Sequence, residues 1–291
     1  MADYIIACAS TADLPDTYYK EHNIPVIRYT YAIGTDVFED DCKEESRAKA
    51  YADMRTGTVY STSMINTATY ADFFTKLMET GKNVIFLDMS KEMSSSYRSS
   101  HAAAEAVQRK FPDQVLCLMD TRCISGGLGL LVTEMVRRME DGMSFQDVID
   151  WGEANKLHIM HRFTVDDLVY LKRGGRVSNA SALIGGLLSI KPVLYVPDSG
   201  ELKVAQKVRG RKAALQALLD GIERDMKAPD GQHIRINHAD CLADAEWLRD
   251  RILEKYPTVA EVAISGLGVI IGSHCGPGLL TVFYFGESRR P

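Results

Sequence analysis

Val84-Ile85-Phe86-Leu87, then Ser90-Lys91-Glu92-Met93-Ser94-Ser95-Ser96-Tyr97-Arg98-Ser99-Ser100, then Val115-Leu116-Cys117-Leu118-Met119: the reading of this stretch decides the fold. Two apolar runs of strand length enclose a hydroxyl-rich loop and a helix-length segment, 97–110, the pattern of a parallel sheet with a crossover helix. The alternation continues on both sides. Strands are predicted at Tyr4–Cys8 and Pro25–Ile33, and helices at 44–54, 69–79 and 125–140. Ser144-Phe145-Gln146-Asp147 has capping-box character and opens a helix to about Leu157, which joins two halves. Beyond it lie a strand at 159–165 and a strand pair at 190–196 and 201–206, turned by Asp198-Ser199-Gly200. A helix at 211–227, a strand at 232–238, a helix at 242–255 and a strand at 259–264 follow. The expectation is an α/β fold of two α/β domains, 1–157 and 158–291, with a ligand cleft between them.

Charge and composition narrow the function classes. Across 291 residues, 34 Lys and Arg against 39 Asp and Glu leave a net charge of −5, which argues against a general phosphate-tracking nucleic-acid binder. A chain this long needs no disulfide or metal staple. Its cysteines, at 8, 42, 117, 123, 241 and 275, form no C-x-x-C and no zinc-ligand spacing, so they read as reduced thiols. The N-terminal MADYIIACAST has too short an apolar run for a signal peptide, and a cytoplasmic location is expected. Val262–Gly286 carries no charged residue and is long enough to cross a bilayer. Its glycines at 266, 268, 272, 276 and 278 would break a lipid-exposed helix, so two buried strands around a glycine-rich loop are expected and no integral membrane segment.

Chemistry-bearing residues concentrate in the loops. Hydroxyls cluster at Ser10-Thr11, Ser61-Thr62-Ser63 and Ser94-Ser95-Ser96. At helix starts such groups, with the free N–H donors and the helix dipole, bind a small anion; simple N-capping is the structural alternative. No G-x-x-x-x-G-K-[ST] supports a nucleotide triphosphate, and no G-x-S-x-G flags an α/β-hydrolase serine. Ser125-Gly126-Gly127-Leu128-Gly129 reads as close helix–strand packing. His158 and His161 stand three apart, but no carboxylate completes a metal motif and a structural role is expected. His274, within Gly272-Ser273-His274-Cys275-Gly276-Pro277-Gly278, is the one titratable group in a long apolar stretch; it reads either as a ligand-site imidazole or as a satisfied core histidine. Asp166 to Arg176 spans a short helix that ends on Lys172, Arg173 and a glycine pair. Val177 to Ile190 fits a buried helix or a tunnel wall equally well. Lys207 to Lys212 is a basic patch, either solvated or able to dock an acidic partner.

These motifs, taken in order, resemble the DegV family of bacterial fatty-acid-binding proteins along essentially the full length. Ser10-Thr11-Ala12-Asp13-Leu14 resembles the family's opening D-S-x-x-D-L, with the first acid replaced. Thr62-Ser63-Met64-Ile65-Asn66 resembles T-S-Q-P-S, and Ser90 to Ser100 resembles S-x-x-L-S-G-T-Y-Q-S-A. Asp120-Thr121, Asp166-Asp167-Leu168 through Gly174-Gly175-Arg176, Ile190-Lys191-Pro192-Val193-Leu194 and His274-Cys275-Gly276-Pro277-Gly278 continue the series. The resemblance implies that Thr62 and the Ser94-Ser95 turn hold a fatty acid carboxylate with Ser63 close by, and that His274 with Arg173 or Arg176 stands on the facing domain. It also implies a lipid-binding carrier rather than an enzyme, presenting a long-chain fatty acid to a separate ATP-binding fatty acid kinase subunit. Arg209, Arg211 and Lys212 would be the docking patch, and no cofactor or metal is implied. Two other readings stay open: an acyl hydrolase or transferase using Ser94 or Ser95 with His274 as base, and a small-anion sensor with a short polar pocket.

Overall fold

The parallel pattern around residues 84–119 builds a four-stranded sheet of β1 (Tyr4–Ala9), β2 (Val26–Ile27), β6 (Asn83–Asp88) and β7 (Leu116–Asp120), in the order β2-β1-β6-β7 with every pair parallel. β6 is buried along nearly its whole length, as a central parallel strand covered on both faces must be. The structure, a computed structural model, describes residues 3–176, 190–226 and 228–291. A small antiparallel sheet of β3 (Thr30–Ile33), β4 (Asp36–Glu39) and β5 (Tyr60–Ser63) is ordered β4-β3-β5. The strands β8 (Ile159–Thr164), β9 (Ile190–Tyr195), β10 (Lys203–Arg209), β11 (His233–His238), β12 (Glu261–Gly266) and β13 (Leu280–Phe285) form one mixed sheet, β10-β9-β8-β13-β11-β12.

The helices are α1 (Asp16–Glu21), α2 (Glu44–Arg55), α3 (Thr67–Met78), α4 (Ser96–Gln108), α5 (Gly126–Glu140), α6 (Phe145–Asn155), α7 (Leu168–Gly174), α8 (Arg211–Asp225), α9 (Leu242–Lys255) and α10 (Val269–Cys275). α3 packs its buried Tyr70 and Phe74 against Phe86 of β6, with the Phe74 and Phe86 ring centroids 5.0 Å apart. Each such ring contributes roughly 2–3 kcal/mol by leaving water. One hydrophobic core runs from the four-stranded sheet through α5 to Phe163, Ile271 and Phe283; a second lies under α8 and α9.

Several sequence expectations change. Pro25–Ile33 is two strands in two sheets, because the chain turns at Arg28-Tyr29: the Tyr29 N–H donates to Ser10 Oγ and the Arg28 guanidinium to the Asp40 carbonyl. Strands β4 and β5 and the short helix α1 escaped the sequence reading. The glycine-rich loop of 262–286 contains a helix, α10, between its two strands. The strand expected at 201–206 lies at Lys203–Arg209, with a register shift between Val204 and Gln206. At Ser144 the side chain accepts the Asp147 N–H as a capping residue should, while the Asp147 carboxylate takes the Ser144 hydroxyl instead of reaching the main chain. Of the segment read as buried helix or tunnel wall, residues 177–189 lie outside the described residues. Among the described residues no helix is long and apolar enough to cross a membrane.

Candidate functional site

In the order β2-β1-β6-β7 the chain reverses direction of growth between β1 and β6, and ligand crevices open at the carboxyl ends of such strands. The loop leaving β6 carries Ser94 and Ser95, β5 of the small sheet brings Thr62 and Ser63 alongside, and α10 crosses opposite with His274. Between them lies a cavity of about 210 Å³. Its polar rim is Thr62, Ser63, Ser94, Ser95, Arg176 and His274; its apolar wall includes Met89, Met93, Ile124, Leu202 and Ile271. A second void of about 30 Å³ shares Ile124, Leu202, Ile271 and Cys275 with it and is also lined by Phe163 and Phe283.

Thr62 and His274 meet directly, Oγ1 to Nε2, at 2.8 Å. The other side of the imidazole lies on Gly174, where a Cβ would stand 2.9 Å from Nδ1, so α7 approaches α10 this closely only with glycine there. Burial, reinforced by the charges of Arg176 and Arg173, lowers the His274 pKa to about 4, against a smaller opposing effect of a hydrogen bond to the Gly174 main chain. The ring is therefore neutral near pH 7. With its proton on the nitrogen facing Gly174, Nε2 accepts the Thr62 hydroxyl.

Ser94 does double work. Its Oγ accepts the Ser96 N–H at 3.2 Å, capping α4, and its hydroxyl and that of Ser96 face the Tyr29 phenol as donors. Tyr29 in turn donates to Asp88 at 3.2 Å, and Tyr70 donates to the same carboxylate at 2.7 Å. Burial pushes the Asp88 pKa up while these donors pull it down. This buried hub, which stiffens the turn from below, was missed in the sequence because Tyr29 read as part of one continuous strand.

The remaining expected residues divide. Arg176 lines the cavity and donates to the Gly174 carbonyl at 2.7 Å. Arg173 is exposed, stacked on Tyr170 with its guanidinium 4.6 Å from the ring centroid, and is not among the lining residues. Ser10 and Thr11 are buried and do not line the cavity; Ser10 Oγ accepts the Tyr29 N–H. His161 stands on β8, not on a helix. Its Nε2 accepts the Ile124 N–H at 3.2 Å and its Nδ1 lies 2.9 Å from the Ile159 carbonyl, so neither nitrogen is left for a metal. Gly126 and Gly127 do pack closely: a Cβ on Gly127 would meet His161 Nε2 at 2.2 Å. Arg209 and Lys212 are exposed, whereas Arg211 is engaged with Asp244 at 2.8 Å and with the Gly278 carbonyl at 2.8 Å.

The facing helix is fixed by contacts that span the molecule. Arg47 of α2, almost fully buried, donates to the carbonyls of Gly266 at 2.8 Å and Leu14 at 3.0 Å; Tyr51 donates to Leu267 at 2.9 Å. Asp13 accepts Ser125 Oγ at 2.5 Å beside this latch, and burial lifts its pKa to about 7.

Fold and site together define an α/β protein whose apolar cavity is capped by alcohol groups and a neutral imidazole. The chain belongs to the DegV family: the family model described as "Uncharacterised protein, DegV family" matches residues 5–287. A DegV domain-containing protein of Clostridium perfringens is 39% identical over 100% of both chains. Among solved structures, a DegV lipid binding protein of Thermotoga maritima is 26% identical with a TM-score of 0.85, covering 99% of each chain. A DegV family protein of Thermus thermophilus, described by its fatty acid binding, is 25% identical with a TM-score of 0.87, covering 99% of this chain and 100% of that one.

Proposed function

We propose that this protein binds a long-chain fatty acid, with the carboxylate held by Thr62 and the Ser94-Ser95 turn and the tail in the apolar cavity. It acts as a carrier and presents the acid to a separate kinase subunit that forms acyl phosphate. The observation that carries this reading is the hydroxyl-and-imidazole rim over a cavity of about 210 Å³ with apolar walls. A buried carboxylate is costly unless several donors satisfy it, and alcohols supply donors without a formal ion pair. About fifteen methylenes at roughly 0.8 kcal/mol each set an upper bound near 12 kcal/mol for the tail before ordering costs. The segments 1–157 and 158–291 are the two domains in this account, and their facing surfaces form the cleft. Fatty acid binding by the Thermus thermophilus protein supports the same reading.

Carriage is favoured over acyl hydrolysis by the partners of His274. Its hydroxyl partner is Thr62, not Ser94 or Ser95, and its opposite edge rests on the Gly174 main chain, with no carboxylate among the described residues to orient it as in a triad. Arg209 and Lys212 remain the exposed cations proposed for docking an acidic face of the kinase; Arg211 serves the fold. Native mass spectrometry of the gently purified chain tests the reading: a bound mass of a long-chain fatty acid is expected. An apo mass with no uptake of added palmitate or oleate would overturn it.

A further inference from the structure

A further hollow of about 490 Å³, sharing no lining residue with the main cavity, lies where α8 meets the β10-β9-β8 end of the mixed sheet. Local sequence explains the space. Ala205 of β10 and Ala217 and Gly221 of α8 line it with little side-chain volume. In β10 the pairing steps from Val204 opposite Leu194 to Gln206 opposite Val193, which leaves Ala205 as the extra residue of a bulge. Regular alternation would send Ala205 and Gln206 to opposite faces of the strand; with the bulge, both line the hollow.

Its floor is charged. Arg162 of β8 is 3% exposed and still belongs to the lining. The side chain lies along α8, where a Cβ on Gly221 would stand 3.3 Å from its Cδ and its Nε. Nε and Nη2 donate to Asp225 at 3.1 and 2.5 Å, and Nη2 also donates to the Arg290 carbonyl. Nη1 has no partner among the described residues. It is not one of their buried unpartnered atoms either, so the surface that Arg162 keeps includes a free donor on the hollow. Arg224, also in the lining, donates from Nε to the same Asp225 at 2.9 Å. One carboxylate thus serves two guanidinium groups, and a net positive charge is left there. One turn earlier on α8, Asp220 lines the hollow too; it accepts the Gln216 amide at 2.8 Å and pairs with no cation among the described residues.

We infer that this hollow is a second ligand site, for a small zwitterion: a free aliphatic α-amino acid, with its carboxylate on Arg162 Nη1 and the Gln206 amide and its ammonium group on Asp220. A guanidinium nitrogen with an unused donor suits a carboxylate. A simple anion would satisfy that end and leave Asp220 unmatched, and a simple cation would do the reverse. A ligand carrying both charges matches both. Val193, Ala205 and Ala217 offer its side chain an apolar wall. The site is independent of the fatty acid reading, because none of its residues touches the tail cavity.

Ligand-observed NMR titration of the full chain tests this, with L-alanine, L-valine and L-leucine as probes and two analogues of valine, isovalerate without the ammonium group and isobutylamine without the carboxylate. At least one amino acid is expected to bind with a Kd of about 1 mM or tighter, and both analogues about tenfold or more weakly than valine. Asp220→Asn and Gln206→Ala change exposed side chains and are expected to weaken the amino acid about fivefold or more while leaving oleate binding unchanged. No binding of any of the three amino acids at about 10 mM would overturn the site. Isovalerate or isobutylamine bound as tightly as valine would overturn the zwitterion assignment. Amino acid affinity unchanged in both variants would mean that it binds elsewhere, and would overturn the placement.

Discussion

Thr62 Oγ1 and His274 Nε2, 212 residues apart in sequence, stand 2.8 Å from one another, so a strand of the small antiparallel sheet and the last turn of α10 close the same rim. Thr62→Val keeps the shape and removes the hydroxyl. Fatty acid affinity is expected to fall about five- to tenfold, the equivalent of roughly 1–1.4 kcal/mol, with unfolding stability changed by less than about 1 kcal/mol. Titration with oleate and denaturant melts of both proteins check this; unchanged affinity would remove Thr62 from the head-group site.

On the proposed function, the same contact is expected to make binding proton-linked. In the free protein the neutral His274 takes the Thr62 hydrogen, which leaves that hydroxyl unable to donate to a carboxylate. An arriving anion reverses the arrangement: a proton on Nε2 lets His274 donate to Thr62 and Thr62 donate to the ligand. The free-state pKa of about 4 lies below the working range, and a carboxylate bound beside the ring would raise it, so proton uptake on binding is the expected outcome. The facing cations Arg176 and Arg173 oppose this rise, and among the described residues no other titratable side chain lines the main cavity apart from Tyr29 and Cys275, both neutral there. Calorimetry at about pH 6 in buffers of differing ionisation enthalpy should record proton uptake that His274→Ala loses, with affinity falling as pH rises from roughly 5 to 7 more steeply than in that variant.

Ser94-Ser95 was legible in the sequence because it sits in the loop between β6 and α4, and His274 stood out in a charge-free stretch; Thr62, read as a loop hydroxyl, lies within β5 and reaches the rim from a strand. What could not be read were contacts between remote segments. Nothing local to Arg47 says that it will bind the carbonyl of Gly266, and Tyr29 looks like a strand residue until its N–H is seen on Ser10. α10 escaped because seven residues bounded by Gly268 and Gly276 are too few for a helical period to stand out against the glycines.

Asp13 gives the latch its own pH dependence. Burial raises its folded pKa to about 7 from 3.8, against the opposing pull of Arg47 and Ser125. The folded state therefore holds a proton that the unfolded state has released. The contribution to stability is complete below about pH 4 and is lost as pH rises through about 7, up to roughly 4 kcal/mol for three units at 1.36 kcal/mol each. Asp13→Asn, which cannot ionise, is expected to show a flatter stability profile between pH 4 and 8 in urea unfolding. Parallel profiles for the two proteins would mean that Asp13 is folded as a carboxylate paired with Arg47.

Gly127 tests the floor of the cavity. A Cβ there would lie 2.2 Å from His161 Nε2 and 2.7 Å from Cε1, and the ring cannot retreat, because it is 2% exposed and held on both nitrogens by the main chain of Ile124 and Ile159. Gly127→Ala should therefore cost about 3 kcal/mol, despite the better helix propensity of alanine, since the overlap forces either α5 or β8 to move. Movement of α5 displaces Ile124, which lines both cavities, and Ser125, which lines the smaller one, so fatty acid affinity should fall with stability. Removing the imaginary collision removes both effects: Gly127→Ala combined with His161→Ala should be more stable than the sum of the two single losses, a coupling measurable in a double-mutant cycle. Strict additivity would mean that the first turn of α5 shifts freely, and the close approach read from Ser125-Gly126-Gly127 would then not be what fixes the cavity wall.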